Sequence, residues 1–247
     1  MQVFAQSTSL PRIEPLFWFT EMHNPALQLI VHHPGIGQAS VDLKYAGVKL
    51  KQVNKVENPN YLFLDLHISK KAKPGTIDIT FKLPNEEVIH YPYELRPRNK
   101  GTLAQGVTTK DFIYLIMPDR FSNGDPSNDQ VAGLREQEVR RDSMYLRHGG
   151  DLQGIINKLD YLQDLGVTAL WLNPVVTNDM PSASYHGYAQ TEHYHVDPRL
   201  GGDKAYLALS DALHKRGMKL IKDIVHNHVG LNHWTILDMP FKDWVNQ

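Results

Sequence analysis

The feature that most constrains the fold is an alternation of short apolar runs with helical segments in the second half of the chain. Residues 167–172 form a compact apolar run, and residues 111–117 and 219–225 are two further segments short enough to be strands. Between them lie two segments with helical periodicity, 152–165 and 203–216, each followed by a glycine. Because strands that alternate with helices pair in parallel, this order predicts an α/β unit built on a parallel sheet.

The first helical segment has clear start and stop signals. Asp151 and Gly166 are placed to cap its two ends. Its apolar residues recur at helical spacing, so we expect them to share one face that packs against the sheet. They are Leu152, Ile155, Ile156, Leu159, Leu162 and Leu165.

The first hundred residues follow a different pattern. Short runs with β character are separated by turn formers such as Pro34-Gly35 and Pro74-Gly75. Residues 76–81 alternate between polar and apolar side chains, which is typical of a strand with one buried face. Several strands at this spacing indicate a small β-sandwich. The predicted strands are 27–32, 41–45, 48–53, 61–68, 76–83 and 88–95.

This change of pattern predicts two domains. Residues 1–100 form the sandwich, a polar stretch at 96–106 is the linker, and residues 107–247 form the α/β unit. Residues 1–5, with Val3-Phe4-Ala5, resemble the end of a secretory signal peptide. That resemblance favours a periplasmic or secreted protein, and a cytoplasmic protein with a frayed N-terminus is the alternative.

Composition excludes several functional classes. The 26 basic and 27 acidic residues nearly balance, so no net field attracts nucleic acid or an anionic membrane surface, and a neutral substrate fits better. No apolar run in the sequence approaches the roughly 20 residues needed to span a bilayer. The lack of cysteine excludes disulfides and thiolate metal sites, and it is compatible with either redox compartment.

Two loops are rich in groups that can bind a hard cation. The segment 119–129 is dense in Asn and Asp, and calcium prefers oxygen ligands on flexible loops. The segment 148–151 adds two glycines, which allow a close backbone approach, and a carboxylate. The alternative is a pair of solvated turns, with Asp151 only capping a helix. The candidate calcium ligands are Asn123, Asp125, Asn128, Asp129, the Gly149 carbonyl and Asp151.

A third group of residues suits a sugar. The sequence Ser184-Tyr185-His186-Gly187-Tyr188 lies in a loop of about 30 residues, far longer than a routine connection. The third strand runs into Asp223-Ile224-Val225-His226-Asn227-His228. Tyrosine offers a flat face to a sugar ring, and imidazole and carboxylate groups can bind its hydroxyls. The alternatives are a polar surface loop and a metal site made by Asp223, His226 and His228.

Taken in order, these motifs resemble the α-amylase family, glycoside hydrolase family 13. The resemblance covers residues 111–247 and rests on PDRFSNGDPSND, HGGDLQGI, LGVTALWLNP, SYHGY and DIVHNH. Within the family, the chain is most similar to cyclomaltodextrinases, neopullulanases and maltogenic amylases, which place a β-sandwich before the barrel. The PLFWF and NYLFLDL stretches resemble that module.

The resemblance implies an Ig-like sandwich followed by the first part of a (β/α)8 TIM barrel, truncated after the third strand. A closed barrel needs about 250 residues. We therefore expect an open sheet with an exposed apolar face, which either a longer native polypeptide or a second chain completes. The resemblance also implies a homodimer formed through the N-terminal domain, as in some relatives.

The implied activity is a retaining α-glucan hydrolase that acts on the α-1,4 bonds of cyclodextrins, pullulan or maltooligosaccharides. Retaining glycosidases need two carboxyl groups, a nucleophile and an acid/base. The family carries both on later strands, and residues 1–247 match neither, so we expect this chain alone to be inactive. A non-catalytic glucan-binding or regulatory protein is the alternative.

The resemblance assigns roles in the two candidate sites. Tyr188 would stack on the sugar ring, and His186 and His228 would bind its hydroxyls. Asp223 would organise the site without acting as the nucleophile. The six candidate cation ligands coincide with the calcium site of this group, so Ca²⁺ is the implied cofactor.

Overall fold

The computed structural model describes residues 10–101 and 106–246. The chain divides into two compact units, the first containing Met1–Gly101 and Met239–Gln247, the second containing Thr102–Asp238. The segment Met239–Gln247, which the sequence assigns to the α/β unit, therefore clusters with the first unit. The proposed signal-peptide remnant at residues 1–5 lies outside the described residues.

The first unit is a sandwich of two four-stranded sheets. One sheet has the strand order β1-β3-β6-β5 and the other has the order β2-β8-β7-β4. All neighbouring pairs are antiparallel except β2 and β8, which are parallel. The strands are β1 (Arg12–Glu14), β2 (Phe17–Phe19), β3 (Ala26–His32), β4 (Ser40–Leu43), β5 (Val48–Lys55), β6 (Tyr61–Ile68), β7 (Gly75–Lys82) and β8 (Val88–Arg96).

The alternation in the sequence explains the core of this sandwich. Ile77, Ile79 and Phe81 of β7 are fully buried, which confirms the predicted one-sided strand. All six predicted strands are present, with ends that differ by a few residues. Strands β1 and β2 were not predicted, because three residues on either side of Pro15 are too few to show an alternation.

The second unit is built on a parallel sheet of three strands, which confirms the α/β prediction. The strand order is β11-β10-β9, and both neighbouring pairs are parallel. Its elements are β9 (Ile113–Ile116), α1 (Pro118–Phe121), α2 (Leu152–Ile156), α3 (Leu159–Asp164), β10 (Ala169–Leu172), α4 (Gly202–Lys215), β11 (Lys219–Lys222) and α5 (Trp234–Leu237).

The single helix predicted for residues 152–165 is two helices in the structure. The Lys158 N–H donates to the Ile155 carbonyl, three residues back, and this tighter turn separates α2 from α3. The side chains at 152, 155, 159 and 162 are fully buried, as the predicted face requires. Leu165 was expected on that face, but it follows α3 and is 46% exposed.

One face of the parallel sheet is apolar and open. Leu115 and Trp171 are register partners on β9 and β10, and they are 56% and 40% exposed. The neighbouring Leu170 points to the opposite face and is fully buried. The exposed apolar face expected for an open sheet is therefore present.

The Asp111 side chain links the amino ends of β9, β10 and β11 through hydrogen bonds. Its carboxylate accepts hydrogen bonds from Lys219 Nζ at 2.7 Å, from the Thr108 N–H at 2.7 Å and from the Thr168 hydroxyl at 3.1 Å. The Lys219 hydrogen bond is the main reason that the pKa of Asp111 falls from 3.8 to about 2.

This shift predicts an acid-sensitive contribution to stability. Because the folded pKa lies below the unfolded value, the contribution is complete above about pH 4 and is lost as the pH falls towards 2. We expect Asp111→Asn to lower the melting temperature at pH 7, and the gap to the parent protein should shrink between pH 4 and pH 2.5. The exposed Asp211→Asn on α4 is the control. A gap for Asp111→Asn that is equally large at pH 2.5 contradicts this assignment.

Candidate functional site

The four residues predicted to bind sugar are linked through Tyr188. The Tyr188 hydroxyl donates to Asp223 Oδ2 at 3.0 Å. The Tyr188 N–H donates to His186 Nδ1 at 2.9 Å, and His228 Nε2 lies 3.1 Å from the Tyr188 carbonyl oxygen. The structure therefore places these side chains together and does not scatter them.

A short 3-10 turn, Ser184–His186, presents two of these residues. It is bounded by Ala183 and Gly187, both in the left-handed region with φ of 57° and 82°. A side chain at Gly187 would collide with the Pro174 carbonyl oxygen, so glycine is required there for space as well as for conformation. The turn arises where the long loop after β10 reverses, and it brings His186 next to Tyr188.

His186 is held as a neutral imidazole. Burial lowers its pKa, and the charge of Glu136 opposes this only in part. Because Nδ1 accepts the Tyr188 N–H, the ring proton is on Nε2. At neutral pH, His186 therefore has an Nε2–H donor available for a hydroxyl group.

Tyr188 combines an aromatic face with a fixed polar tip. Burial raises its pKa, and the hydrogen bond and charge of Asp223 raise it further, so the phenol stays protonated and donates to that carboxylate. Its ring stacks on the His186 ring with centroids 6.0 Å apart, and the residue is 38% exposed. The result is an accessible aromatic surface with an anionic acceptor at its edge.

His228 lies at the site, but its ring nitrogens both contact protein groups. Nε2 faces the Tyr188 carbonyl and Nδ1 lies 3.2 Å from Asn227 Nδ2. An Nε2–H that donates to the carbonyl leaves Nδ1 to accept from Asn227. This arrangement fits a residue that holds Tyr188 in place better than one that binds a hydroxyl directly.

Trp171 is a member of the site that the sequence reasoning missed. Its indole Nε1–H donates to Asp223 Oδ2 at 3.1 Å, beside the Tyr188 hydroxyl. The signal was present in β10, since alternation places residue 171 on the face opposite Leu170 and Leu172. Glu136 was also missed, because nothing near it in the sequence indicates that it reaches the turn at Ser184.

Asp151 joins the two candidate cation loops. Its carboxylate accepts from the Gly154 N–H at 2.6 Å, which confirms it as the N-cap of α2. The same carboxylate accepts from the Gly124 N–H at 3.1 Å and the Asp125 N–H at 2.8 Å. Asn128 Nδ2 lies 3.4 Å from Asp151 Oδ2, so the loops meet at this side chain.

The remaining groups around this junction fit a hard cation. The Oδ1 atoms of Asn123 and Asn128 are buried and have no hydrogen-bond partner among the described residues. Asn123 Nδ2 donates to Asp129 Oδ1 at 2.7 Å, and a Cβ at Gly149 would stand 2.7 Å from that oxygen. Asp125 faces its own turn, since its Oδ1 accepts from the Ser127 N–H and hydroxyl. Unpaired buried oxygens beside a carboxylate are what Ca²⁺ would satisfy.

The alternative metal site at the end of β11 is not supported by the geometry. Within residues 10–101 and 106–246, no three His, Cys, Asp or Glu side chains group so that they could hold a metal ion. Asp223, His226 and His228 thus do not form such a group. The three carboxylates of the candidate cation loops do not form such a group either, and the other half of that ligand set consists of amide and carbonyl oxygens.

Two parts of the chain match known protein families. Residues 115–240, about half of the chain, match the family model described as alpha amylase, catalytic domain. The chain belongs to the α-amylase family. Residues 12–99 match the model described as cyclomaltodextrinase, N-terminal. The Ig-like sandwich and the partial catalytic barrel that the motifs implied are both confirmed by these matches.

The chain matches only part of the length of each of three relatives. The periplasmic alpha-amylase of Escherichia coli (strain K12) is 38% identical over 51% of this chain and 20% of that protein. Neopullulanase 2 of Thermoactinomyces vulgaris is 39% identical over 53% and 23%. The cyclomaltodextrinase of Thermoanaerobacter pseudethanolicus is 37% identical over 64% and 27%. The chain thus spans between 20% and 27% of the length of these relatives.

Proposed function

We propose that the protein is an α-glucan hydrolase of the cyclomaltodextrinase, neopullulanase and maltogenic amylase group. The observation that carries this proposal is the Tyr188 to Asp223 hydrogen bond of 3.0 Å, which fixes an aromatic face beside a carboxylate. Membership of the α-amylase family supports glycosidic chemistry, and the names of the relatives support cyclodextrins, pullulan or maltooligosaccharides as substrates.

Each site residue has a separate role in binding one glucose residue at the cleavage point. Tyr188 stacks on the ring, His186 donates its Nε2–H to a hydroxyl, and Asp223 accepts a hydrogen bond from a hydroxyl. His228 and Trp171 keep Tyr188 and Asp223 in position. The nucleophile and acid/base of the family belong to later strands that residues 1–247 do not match, so this chain by itself should bind glucan without cleaving it.

Ligand selectivity tests this proposal. We expect maltohexaose and β-cyclodextrin to bind the chain saturably in calorimetric titrations, and cellohexaose, the β-1,4 isomer, to bind at least about tenfold more weakly, which corresponds to about 1.4 kcal/mol. Equal affinity for both isomers, or no binding of either α-glucan, overturns the proposal. Hydrolysis of maltohexaose by the whole protein then separates the enzyme from a non-catalytic glucan-binding protein, which binds without turnover.

We also propose that the two loops joined by Asp151 bind Ca²⁺. The ion would be held by the side-chain oxygens of Asn123, Asp125, Asn128 and Asp129, the Gly149 carbonyl and Asp151, and would hold these loops together. The two buried amide oxygens described above support this assignment.

Calcium-dependent stability tests the site. A ligand present at 100 times its Kd stabilises the folded state by about 2.7 kcal/mol. We expect calcium to raise the melting temperature of the EDTA-treated parent protein, and Asp129→Ala to lose most of that rise. Asp142→Ala is a matched control, because its side chain is 76% exposed in the neighbouring segment. If Asp129→Ala responds to calcium as strongly as the parent does, the assignment is wrong.

Location and assembly stay predictions. Export is favoured by the N-terminal residues and is the location in the name of the Escherichia coli relative, and a cytoplasmic location stays the alternative. Among the helices that the structure describes, none has the length and apolarity to cross a bilayer. Dimerisation through the sandwich and the lack of a nucleic-acid partner follow from the resemblance and from the balanced charge.

A further inference from the structure

We propose that Glu136 is a positioning residue for the sugar site, acting through Ser184 on the turn that carries His186 and Tyr188. Its effect on glucan binding rests on the proposed function. Its effect on the turn does not.

Ser184 is held through all three of its polar groups by buried side chains. Its N–H donates to Glu136 Oε2 at 2.7 Å, its carbonyl accepts from Asn178 Nδ2 at 3.2 Å, and its Oγ lies 3.3 Å from an Arg147 guanidinium nitrogen. All four residues are at most 3% exposed. The shortest of these bonds is the one to the carboxylate, and hydrogen bonds to an ionised acceptor are stronger than neutral ones.

The turn needs such support because its backbone is unfavourable. Ala183, directly before Ser184, has a φ of 57°, a conformation that a residue with a Cβ rarely adopts. A residue keeps such a strained backbone conformation only where the contacts around it hold it there. The hydrogen bond from the Ser184 N–H, the next N–H along the chain, to Glu136 is such a contact.

Glu136 contributes to the local charge balance and also makes a specific contact to the turn. Asp119 pairs with Arg120 at 2.6 Å as well as with Arg147 at 3.5 Å, so the charge of Glu136 helps to balance the buried Arg147. Its Oε2 accepts the Ser184 N–H, whereas its buried Oε1 has no hydrogen-bond partner among the described residues. Because burying a carboxylate costs free energy unless it is hydrogen-bonded, the Ser184 N–H stabilises Glu136 in this place.

Ser184 is close enough to move the site as a whole. The Gly187 N–H donates to the Ser184 carbonyl at 3.2 Å, so one closed turn separates Ser184 from Tyr188. His186 lies within that turn and accepts the Tyr188 N–H. A displaced Ser184 would shift both sugar-binding rings together.

The test compares Glu136→Ala, Glu136→Gln and a matched control, Glu138→Ala, whose side chain is 57% exposed. We expect Glu136→Ala to speed hydrogen exchange at the Ser184 amide by at least about tenfold and to weaken maltohexaose binding by about tenfold. Glu136→Gln keeps an acceptor at the same place and should restore most of the affinity, with the Ser184 amide proton moved upfield because a neutral acceptor is weaker. Glu138→Ala should change none of these.

The outcomes separate this inference from the proposed function. A parent protein that binds maltohexaose and a Glu136→Ala variant that binds it within twofold together overturn the positioning role. If the parent does not bind, the proposed function fails, and the Ser184 exchange rate decides the positioning role alone, with an unchanged rate overturning it. If Glu136→Ala does not fold, Glu136→Gln replaces it, and an unmoved Ser184 amide resonance overturns the role.

Discussion

Replacing Arg199 by Met should destabilise the second unit by about 3–5 kcal/mol, because it leaves a buried carboxylate without its partner. Arg199 is fully buried, and its side chain donates two hydrogen bonds to Asp197, at 3.0 and 2.7 Å. It also donates to the Asn178 carbonyl at 2.8 Å. Burial raises the pKa of Asp197, but the hydrogen bond and charge of Arg199 outweigh that effect and leave the pKa below its ordinary value.

The comparison with a surface pair makes this test specific. Arg216 pairs with Asp160 at 2.8 Å, but the Asp160 side chain is 88% exposed, so Arg216→Met should cost about 1 kcal/mol or less. The loss is measured by hydrogen exchange of the β10 amides at increasing urea concentration, which reports on the stability of this unit directly. Equal losses for the two variants would show that the buried network does not stabilise the unit as described.

Replacing Tyr188 by Ala should weaken maltohexaose binding by about 10- to 50-fold, or roughly 1.4–2.3 kcal/mol. The variant removes the aromatic face and also the hydroxyl that donates to Asp223. Tyr188→Phe keeps the face and loses only the hydroxyl, so we expect a smaller loss. Calorimetric titration measures both.

A second exposed tyrosine provides the control for this variant. Tyr161 on α3 is 56% exposed, and α3 carries none of the sugar-site residues, so Tyr161→Ala should bind maltohexaose like the parent. If Tyr188→Ala keeps the parent's affinity, glucan does not stack on this ring, and the sugar site lies elsewhere.

The elements that the sequence predicts well are those with local signals. Alternation along residues 76–81 identifies β7, and Asp151 directly before apolar residues at helical spacing identifies the start of α2. The sugar-site residues were found because they follow predicted strands of one parallel sheet, whose carboxyl ends lie at the same edge. Ordered motifs then supplied the family.

The features that the sequence does not predict depend on contacts between distant residues. The Asn58 N–H donates to the Pro240 carbonyl at 3.0 Å, and the Phe63 and Trp244 rings lie 6.3 Å apart, so the last segment clusters with the sandwich. Glu136 reaches Ser184 across 48 positions. No periodicity or motif in the sequence indicates such pairings. The sequence around Glu136 also does not indicate that its side chain is buried.

Roles within the site were also harder to predict than membership. His228 was expected to bind a hydroxyl, but in the structure both ring nitrogens contact Asn227 and the Tyr188 backbone. A residue type indicates which bonds a side chain can make, and only the fold determines which neighbours are near enough to make them.

The central claim is that Tyr188 and Asp223 form the glucose-binding surface, and an NMR titration with maltohexaose tests it most directly. The Trp171 indole N–H donates to Asp223, so its resonance reports on that carboxylate, while the indoles of Trp18 and Trp244 in the first unit serve as internal references. We expect the Trp171 indole and the Tyr188 amide to shift with one common Kd and the two references to stay unchanged. Saturable binding that shifts the references and leaves Trp171 and Tyr188 unmoved would contradict the claim.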